Sequence, residues 1–235
     1  MKIHPKWQFN EMNQVGVDYT DISEVEAYDS RMTKLRNIPK EIEEIINLVG
    51  LTNDHVLLEY GTGTGEFAIA VAKHCSKVYA VDISSAMLDF AKQKAQNRGI
   101  SNIEYCHAEF LTYQHSGEPL DVVVSQLALH HLPDFWKMIA LIRIYSMLKK
   151  GGKFYLRDTV YSFDINNYEG YFDTWLNGIK QIAGEELAKD TEIAIRDEFS
   201  TYDWIMEELI RRAGFEIEKA NYHQGFLAVY VCTKR

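Results

Sequence analysis

The chain predicts a doubly wound α/β fold, a mostly parallel sheet with helices on both faces and one reversed strand at its C-terminal end. Two observations carry this. From about residue 40 onward, short apolar runs alternate with segments of helical periodicity, the pattern of consecutive βα units. Near the end the pattern changes: Phe215 to Ala220 and Phe226 to Cys232 are separated only by Asn221 to Gly225, which reads as an antiparallel hairpin. A third observation places the chemistry. Val56-Leu57-Leu58-Glu59-Tyr60 is an apolar strand ending beside an acid. Gly61-Thr62-Gly63-Thr64-Gly65 then forms a glycine-rich turn opening a helix, so a ligand site belongs at the carboxyl end of the sheet.

The elements follow in order. Pro39 suits the first turn of a helix in which Ile42, Ile45, Ile46 and Val49 recur at three and four, with Gly50 closing it. After the first strand and the glycine turn comes a helix from Phe67 to His74. Val78-Tyr79-Ala80-Val81-Asp82 is a second strand that ends in an acid. Ser84 is the expected N-cap of a helix from Ala86 to Arg98, and Gly99 its stop. A third strand, Ile103 to His107, leads into Ala108-Glu109-Phe110. A fourth, Asp121 to Gln126, ends in Leu127-Ala128-Leu129-His130-His131-Leu132. Pro133 opens a helix with Phe135, Ile139, Ile142 and Leu148 among its apolar positions. Gly151-Gly152 leads into the fifth strand, and a helix over Tyr202 to Ala213 precedes the hairpin, which makes seven strands.

The spacing of the glycines bears on the ligand. A dinucleotide fingerprint, G-x-G-x-x-G, places its third glycine where this chain has Glu66. A carboxylate there opposes a diphosphate, and Glu59 adds a second negative charge. Two acids suit a ligand carrying an ammonium and a sulfonium. Asp82 lies roughly twenty residues past Gly61, where an acid meets a ribose diol and its oxygens accept from both hydroxyls.

The run Glu59 to Gly65, the segment Asp82-Ile83-Ser84-Ser85-Ala86-Met87-Leu88, the pair Ala108-Glu109, the end of the fourth strand and Gly151-Gly152 resemble, in order and separation, the motifs of class I S-adenosylmethionine (SAM)-dependent methyltransferases. The resemblance covers roughly residues 35–160 well and the final forty more loosely. It implies a Rossmann-like seven-stranded sheet with an antiparallel C-terminal strand, SAM as cofactor and S-adenosylhomocysteine (SAH) as product. By the same resemblance Glu59, Gly61, Thr62, Gly63 and Gly65 hold the methionyl end and Asp82 the ribose. Ile83 and Met87 pack on the adenine, and Glu109 approaches its amino group, with Ala108 lending a backbone amide beside Phe110. Gln126 and Leu127 border the methyl group. Ser125-Gln126-Leu127-Ala128 departs from the Asn/Asp-Pro-Pro-Tyr/Phe pattern of enzymes that methylate base amines, and no cysteine stands where a cytosine-C5 enzyme needs its nucleophile. What remains resembles the small-molecule branch, of the ubiquinone/menaquinone-biosynthesis type.

Methyl transfer from SAM is an in-line displacement, in which a protein aligns nucleophile, carbon and sulfur and excludes water. A base is needed only for a nucleophile that arrives protonated. His130 and His131 are the candidates, because imidazole titrates near neutrality; bracing the following helix is their competing role. Arg157 either orients an acidic substrate or pairs with Asp158. Two segments lie outside the core pattern: residues 1–38, with Trp7, Phe9, Tyr19 and Tyr28, and an insertion over about 160–200, with Tyr161, Phe163, Tyr168, Tyr171, Phe172 and Trp175. Both are expected to form a mobile cap over the strand ends, with Tyr19 or Tyr28 nearest the cofactor. The alternative is that these aromatics are the packing face of an added helix.

Composition narrows the classes. With 235 residues, 46% of them hydrophobic, residues 1–235 are expected to form a single domain. No apolar run approaches the roughly twenty residues that cross a bilayer, and the N-terminus has no signal-peptide core. Three cysteines without metal-ligand spacing suggest reduced thiols in a cytoplasmic protein that holds no metal. The net charge of −9 argues against nucleic acid as a partner. Two other readings stand beside the methyltransferase: a nicotinamide-dependent oxidoreductase, and a non-catalytic SAM-binding or interaction module.

Overall fold

The computed structural model describes residues 5–12, 25, 28–30, 32–33 and 36–235. Tyr19 lies outside them. Helix α1 (Ile38–Val49) starts where the Asn37 side chain accepts from Lys40 N at 3.3 Å, and it ends at Gly50, φ 61°. The remaining elements are β1 (Val56–Tyr60), α2 (Glu66–Val71), β2 (Lys77–Asp82), α3 (Ser85–Asn97), β3 (Ile103–His107) and β4 (Leu120–Gln126). A 3-10 turn (Leu129–His131) precedes α4 (Asp134–Met147) and β5 (Leu148–Tyr161), and another (Ile165–Asn167) follows. Then come α5 (Tyr168–Ala183), α6 (Glu185–Asp197), β6 (Thr201–Tyr202), α7 (Asp203–Arg212), β7 (Phe215–His223) and β8 (Leu227–Lys234).

The strands run in the order β3-β2-β1-β4-β5-β8-β7. Pairs from β3 to β5 are parallel, and β8 is antiparallel to both its neighbours, so the terminal hairpin inserts one reversed strand. The seven expected strands are joined by the two-residue β6, which pairs with the end of β5. Strand order reverses at β1, with β2 on one side and β4 on the other, which opens a crevice at their carboxyl ends.

Alternation along each strand builds two cores. Leu57, Val78, Ala80, Val122 and Val124 meet α1 and α2 through Ile45, Val49, Phe67 and Val71. Leu58, Val81, Val123, Phe154 and Tyr230 meet α4 and α7 through Ala140, Leu141, Ile144, Met206 and Ile210. Helix α3 caps as expected, with Ser84 Oγ accepting from Met87 N at 3.2 Å. Helix α2 is shorter than expected. It stops at Val71 because the Asn102 amide donates to the carbonyls of Ala72 and Cys75, at 2.8 and 3.2 Å, and fixes a non-helical turn there.

Helix α4 departs from its expected apolar face. Phe135 and Ile142 are 67% and 45% exposed, while Lys137 is fully buried beside Ala140, Leu141 and Ile144. The Lys137 ammonium reaches Asp134 Oδ1 at 2.8 Å and the Phe199 carbonyl, which satisfies its charge in the interior.

In the insertion, α5 and α6 pack side by side, and the aromatics largely pack on one another. Phe163 stacks on Tyr171 with ring centres 3.9 Å apart, and Trp175 stacks on Phe226 at 4.2 Å. Most of this set is therefore the packing face of an added helix, with Tyr161 and Trp175 also facing a cavity. All three cysteines are free; Cys75 and Cys232 are buried and Cys106 partly so. Among the described residues no helix is long and apolar enough to cross a membrane.

The face of α4 is directly testable. Ile144→Ala, in the core, should cost about 2–5 kcal/mol, whereas Ile142→Ala should stay within about 0.5 kcal/mol of the parent. Urea unfolding followed by circular dichroism reads both, and equal losses would refute this orientation of the helix.

Candidate active site

The turn after β1 holds Gly61, Gly63 and Gly65 at φ 70°, 51° and 77°, a region that residues with a Cβ seldom occupy. The three are not equivalent. A Cβ on Gly61 would lie 2.5 Å from Ala128 Cβ, and one on Gly65 would lie 2.8 Å from Ala91 Cβ. On Gly63 it would meet nothing within 4 Å. Gly61 and Gly65 thus serve close packing, while Gly63 faces open space at the crevice. Asp82 pins the turn from β2: its Oδ2 accepts from Gly63 N at 2.7 Å, and its Oδ1 from Ser84 N at 2.8 Å.

The crevice carries buried carboxyl groups. Thr62 Oγ1 donates to Glu59 Oε2 at 2.7 Å. Burial, reinforced by nearby Asp82, pushes the Glu59 carboxyl up to about 8 despite that bond. Burial raises Asp82 as well, against the amides of Ser84 and Gly63. On the opposite wall Arg36 Nη2 donates to Glu41 Oε2 at 2.7 Å and to Gln126 Oε1 at 3.1 Å. The resulting cleft, about 70 Å³, is lined by Tyr28, Arg36, Glu59, Thr62, Gly63 and Gln126 among others. Arg36 has no motif around it in the sequence; only the fold brings it here. Glu66 also lines this cleft, but it is paired with Lys94 at 2.8 Å and Arg98 at 3.5 Å. Its charge is compensated, so it repels a diphosphate less than its position in the sequence suggests.

The third strand end is partly committed to the protein itself. Ala108 N donates to the Asp82 carbonyl at 3.1 Å, so that amide is already engaged. Met87 is buried and Ile83 half-buried. The Phe110 ring turns into the core and stacks on Tyr60 at 4.5 Å. Its amide and that of Leu111 donate to the Glu11 carboxylate at 3.1 and 2.9 Å. Burial pushes Glu11 up to about 8, and Glu109 beside it adds to the effect. A cavity of about 430 Å³ lies between Lys6, Phe9 and Met12 on one side and His107, Glu109 and Thr112 on the other.

Beyond β4 the backbone turns through Leu127, φ 51°, whose N donates to the Arg157 carbonyl at 2.7 Å. This strained residue stands at the edge of a second cavity, about 230 Å³. Arg157 and Asp158, adjacent on β5, point to opposite faces. Arg157 Nη1 bonds Glu41 Oε2 at 2.8 Å and does not pair with Asp158. Asp158 is fully buried and its Oδ1 meets His130 Nδ1. His130 Nε2 lies 3.3 Å from Glu198 Oε2, and His131 Nδ1 lies 3.9 Å from Glu198 Oε1. Burial alone would hold the His130 pKa down, but Asp158 and Glu198 outweigh it and raise it. The cavity is lined by Tyr28, Met32, Leu127, His131, Tyr161 and Glu198 among others; Tyr28 and Met32 also line the glycine-turn cleft.

Residues 57–152 match the family model of the methyltransferase domain. That segment is a methyltransferase domain. Similarity extends past the matched segment. An uncharacterized methyltransferase of Anoxybacillus flavithermus is 29% identical over 209 residues, covering 86% of this chain and 92% of the relative. The SAM-dependent methyltransferase of Aquifex aeolicus shares the fold with TM-score 0.61 at 18% identity, over 91% of this chain and 98% of that one. The N-methyltransferase NodS of Bradyrhizobium japonicum, solved with SAH, gives TM-score 0.60 at 14% identity, over 88% and 98%.

The unequal roles of the glycines in this methyltransferase domain lead to a paired prediction. Gly61→Ala combines backbone strain with overpacking on Ala128 and should cost about 2–5 kcal/mol. Gly63→Ala should lose only about 1–2 kcal/mol, from strain, and keep a cooperative melt while SAM binding falls at least tenfold. Thermal unfolding and calorimetry distinguish the two; equal destabilisation with intact binding would show that Gly63 merely packs.

Proposed function

We propose that this chain transfers the methyl group of SAM by in-line displacement to a small acceptor that is uncharged or cationic. The observation that supports this most is the adjacency of the glycine-turn cleft and the cavity beside the histidine turn, which share Tyr28 and Met32. In this reading the methionyl ammonium sits by Glu59 and the carboxylate by Arg36, while the open face of Gly63 admits the chain between them. Asp82 spends one lone pair per oxygen on Gly63 and Ser84 and retains others for a ribose diol. Bound SAM supplies an activated methyl group on sulfonium; the protein supplies alignment and dryness.

Charge selects the acceptor. The ionisable residues lining the second cavity include Asp190, Glu198, His130 and His131, and neither Lys nor Arg is among its described lining. Among the side chains that line it, a carboxylate or phosphate acceptor would find no Lys or Arg partner, whereas an amine or a hydroxyl is compatible. Tyr161, Trp175, Leu187 and Ile195 offer an apolar wall for a small ring, in keeping with the quinone-biosynthesis-like branch. Arg157, turned toward Glu41, takes no part in holding the acceptor. His131 and Glu198 face the space in which a proton leaves the nucleophile, and His130, held by Asp158, positions Glu198.

Two experiments test this. Because Glu59 is pushed up to about 8, the free protein holds it largely protonated at pH 7, and a cationic ligand favours its carboxylate. SAM binding should therefore release up to about one proton and tighten as pH rises toward 8. Calorimetry in buffers of different ionisation enthalpy measures the release; identical enthalpies, or unaltered behaviour in Glu59→Gln, would dislodge the ammonium from Glu59. NAD should not bind. The second experiment is turnover against a set of small amines, phenols, carboxylates and phosphates, read as SAH formation. Activity confined to carboxylates or phosphates would overturn the acceptor class.

A further inference from the structure

We propose that His130, His131 and Glu198 form a binding site for a divalent transition-metal ion such as zinc on the wall of the acceptor cavity. One donor atom from each of the three lies within 4.8 Å of the others. His130 Nε2 stands 3.3 Å from Glu198 Oε2. Ligands each about 2.0–2.1 Å from a tetrahedral zinc stand about 3.3 Å from one another, so this edge is already of the right length. The 3.9 Å between His131 Nδ1 and Glu198 Oε1 closes with a small side-chain rotation.

The surroundings are those of a ligand site. Asp158 takes the Nδ1 edge of His130, which directs Nε2 toward Glu198, the carboxylate–histidine arrangement that orients a metal ligand. Asp158 is in turn held by Thr159 N at 2.9 Å, and its Oδ2 is buried with no hydrogen-bond partner. Phe199 N donates to the His130 carbonyl at 3.0 Å, so the end of α6 is tied to the histidine turn. That tie holds Glu198 in place despite its distance in sequence.

Charge points the same way. Two carboxylates, Asp158 and Glu198, converge on one imidazole, and the Lys137 ammonium, whose charge acts on His130, is committed to Asp134 at 2.8 Å. An imidazolium between them balances one negative charge; a divalent ion beside a neutral imidazole balances both. The histidine and carboxylate donors suit zinc or cobalt better than magnesium, which takes oxygen ligands. A fourth coordination position would open into the cavity of about 230 Å³. The role of such an ion rests on the acceptor reading above: an acceptor hydroxyl on that position loses its proton to water more readily, and its oxygen pair attacks the methyl carbon as the carbon–sulfur pair returns to sulfur. The existence of the site does not rest on it.

The test is titration of the chelator-treated full chain with Co²⁺ alone, followed by visible absorption. One equivalent should give the ligand-field band of four- or five-coordinate cobalt, displaced by zinc. His131→Ala and Glu198→Gln, each checked by circular dichroism, should weaken binding at least tenfold, and Asp158→Asn about 10–100-fold. Absence of the band, or a band unchanged in both ligand variants, would overturn the site. SAM calorimetry on the same sample separates the two ideas: loss of SAM binding strikes the proposed function, and the cobalt band alone decides the ion site.

Discussion

The turn between β1 and α2 can lie where it does only because it lacks Cβ atoms where the chain is tightest. Gly61 lets the turn rest on Ala128, just past β4, and Gly65 lets α2 approach Ala91 of α3. These contacts bring the ends of β1, β2 and β4 to a common rim. With Gly61 and Gly65 used for packing, Gly63 is left with a bare backbone at the crevice, held by the Asp82 carboxylate. The acid that reads as a ribose ligand is thus also the pin that shapes the turn. A substitution there acts on two functions through one hydrogen bond.

Carboxyl groups are concentrated at that rim at a cost to the folded state. Glu59 and Asp82 are buried close to each other, and the hydrogen bonds of Thr62, Gly63 and Ser84 only partly offset the loss of water. Acids held in this way favour a cationic ligand, because its charge relieves both desolvation and mutual repulsion. Arg36 and Gln126 complete the wall with groups of the opposite preference, a guanidinium and an amide, so the cleft is polar at both ends. Glu66 lines the same cleft but is paired. Its partners on α3, Lys94 and Arg98, make it a brace between helices.

The insertion links the two sides of the molecule. Its aromatics bind α5 to β5 and to the hairpin turn through Phe226, while Asp158 near the end of β5 and the segment after α6 face the histidine turn. The result is a polar cluster, Asp158–His130–Glu198, on the wall of a cavity that Tyr161, Trp175, Leu187 and Ile195 also line. Arg157 illustrates how strictly the strand divides these regions. One residue away from Asp158, it serves the opposite face and the Glu41–Arg36 group.

The sequence by itself determined the strand–helix alternation, the reversed terminal hairpin, the glycine turn and the acids at the ends of β1, β2 and β3. All of these depend on local periodicity, caps and backbone freedom, which neighbouring residues specify. It also placed His130 and His131 at the end of β4. What it could not hold was anything decided by packing between distant segments. The orientation of α4 turned on whether Lys137 finds Asp134 and the Phe199 carbonyl, and an apolar count put Phe135 and Ile142 inside instead. Arg36, Glu11 and Glu198 carry no local signal, because the contacts that bring them to the site, Arg36 to Gln126 and Glu11 to Phe110 and Leu111, span 90 or more residues, and that of Glu198 crosses the whole insertion. Only the tertiary structure separated Gly63 from Gly61 and Gly65. Three identical residues differ there solely in what stands opposite the missing Cβ, and that is a property of the neighbours.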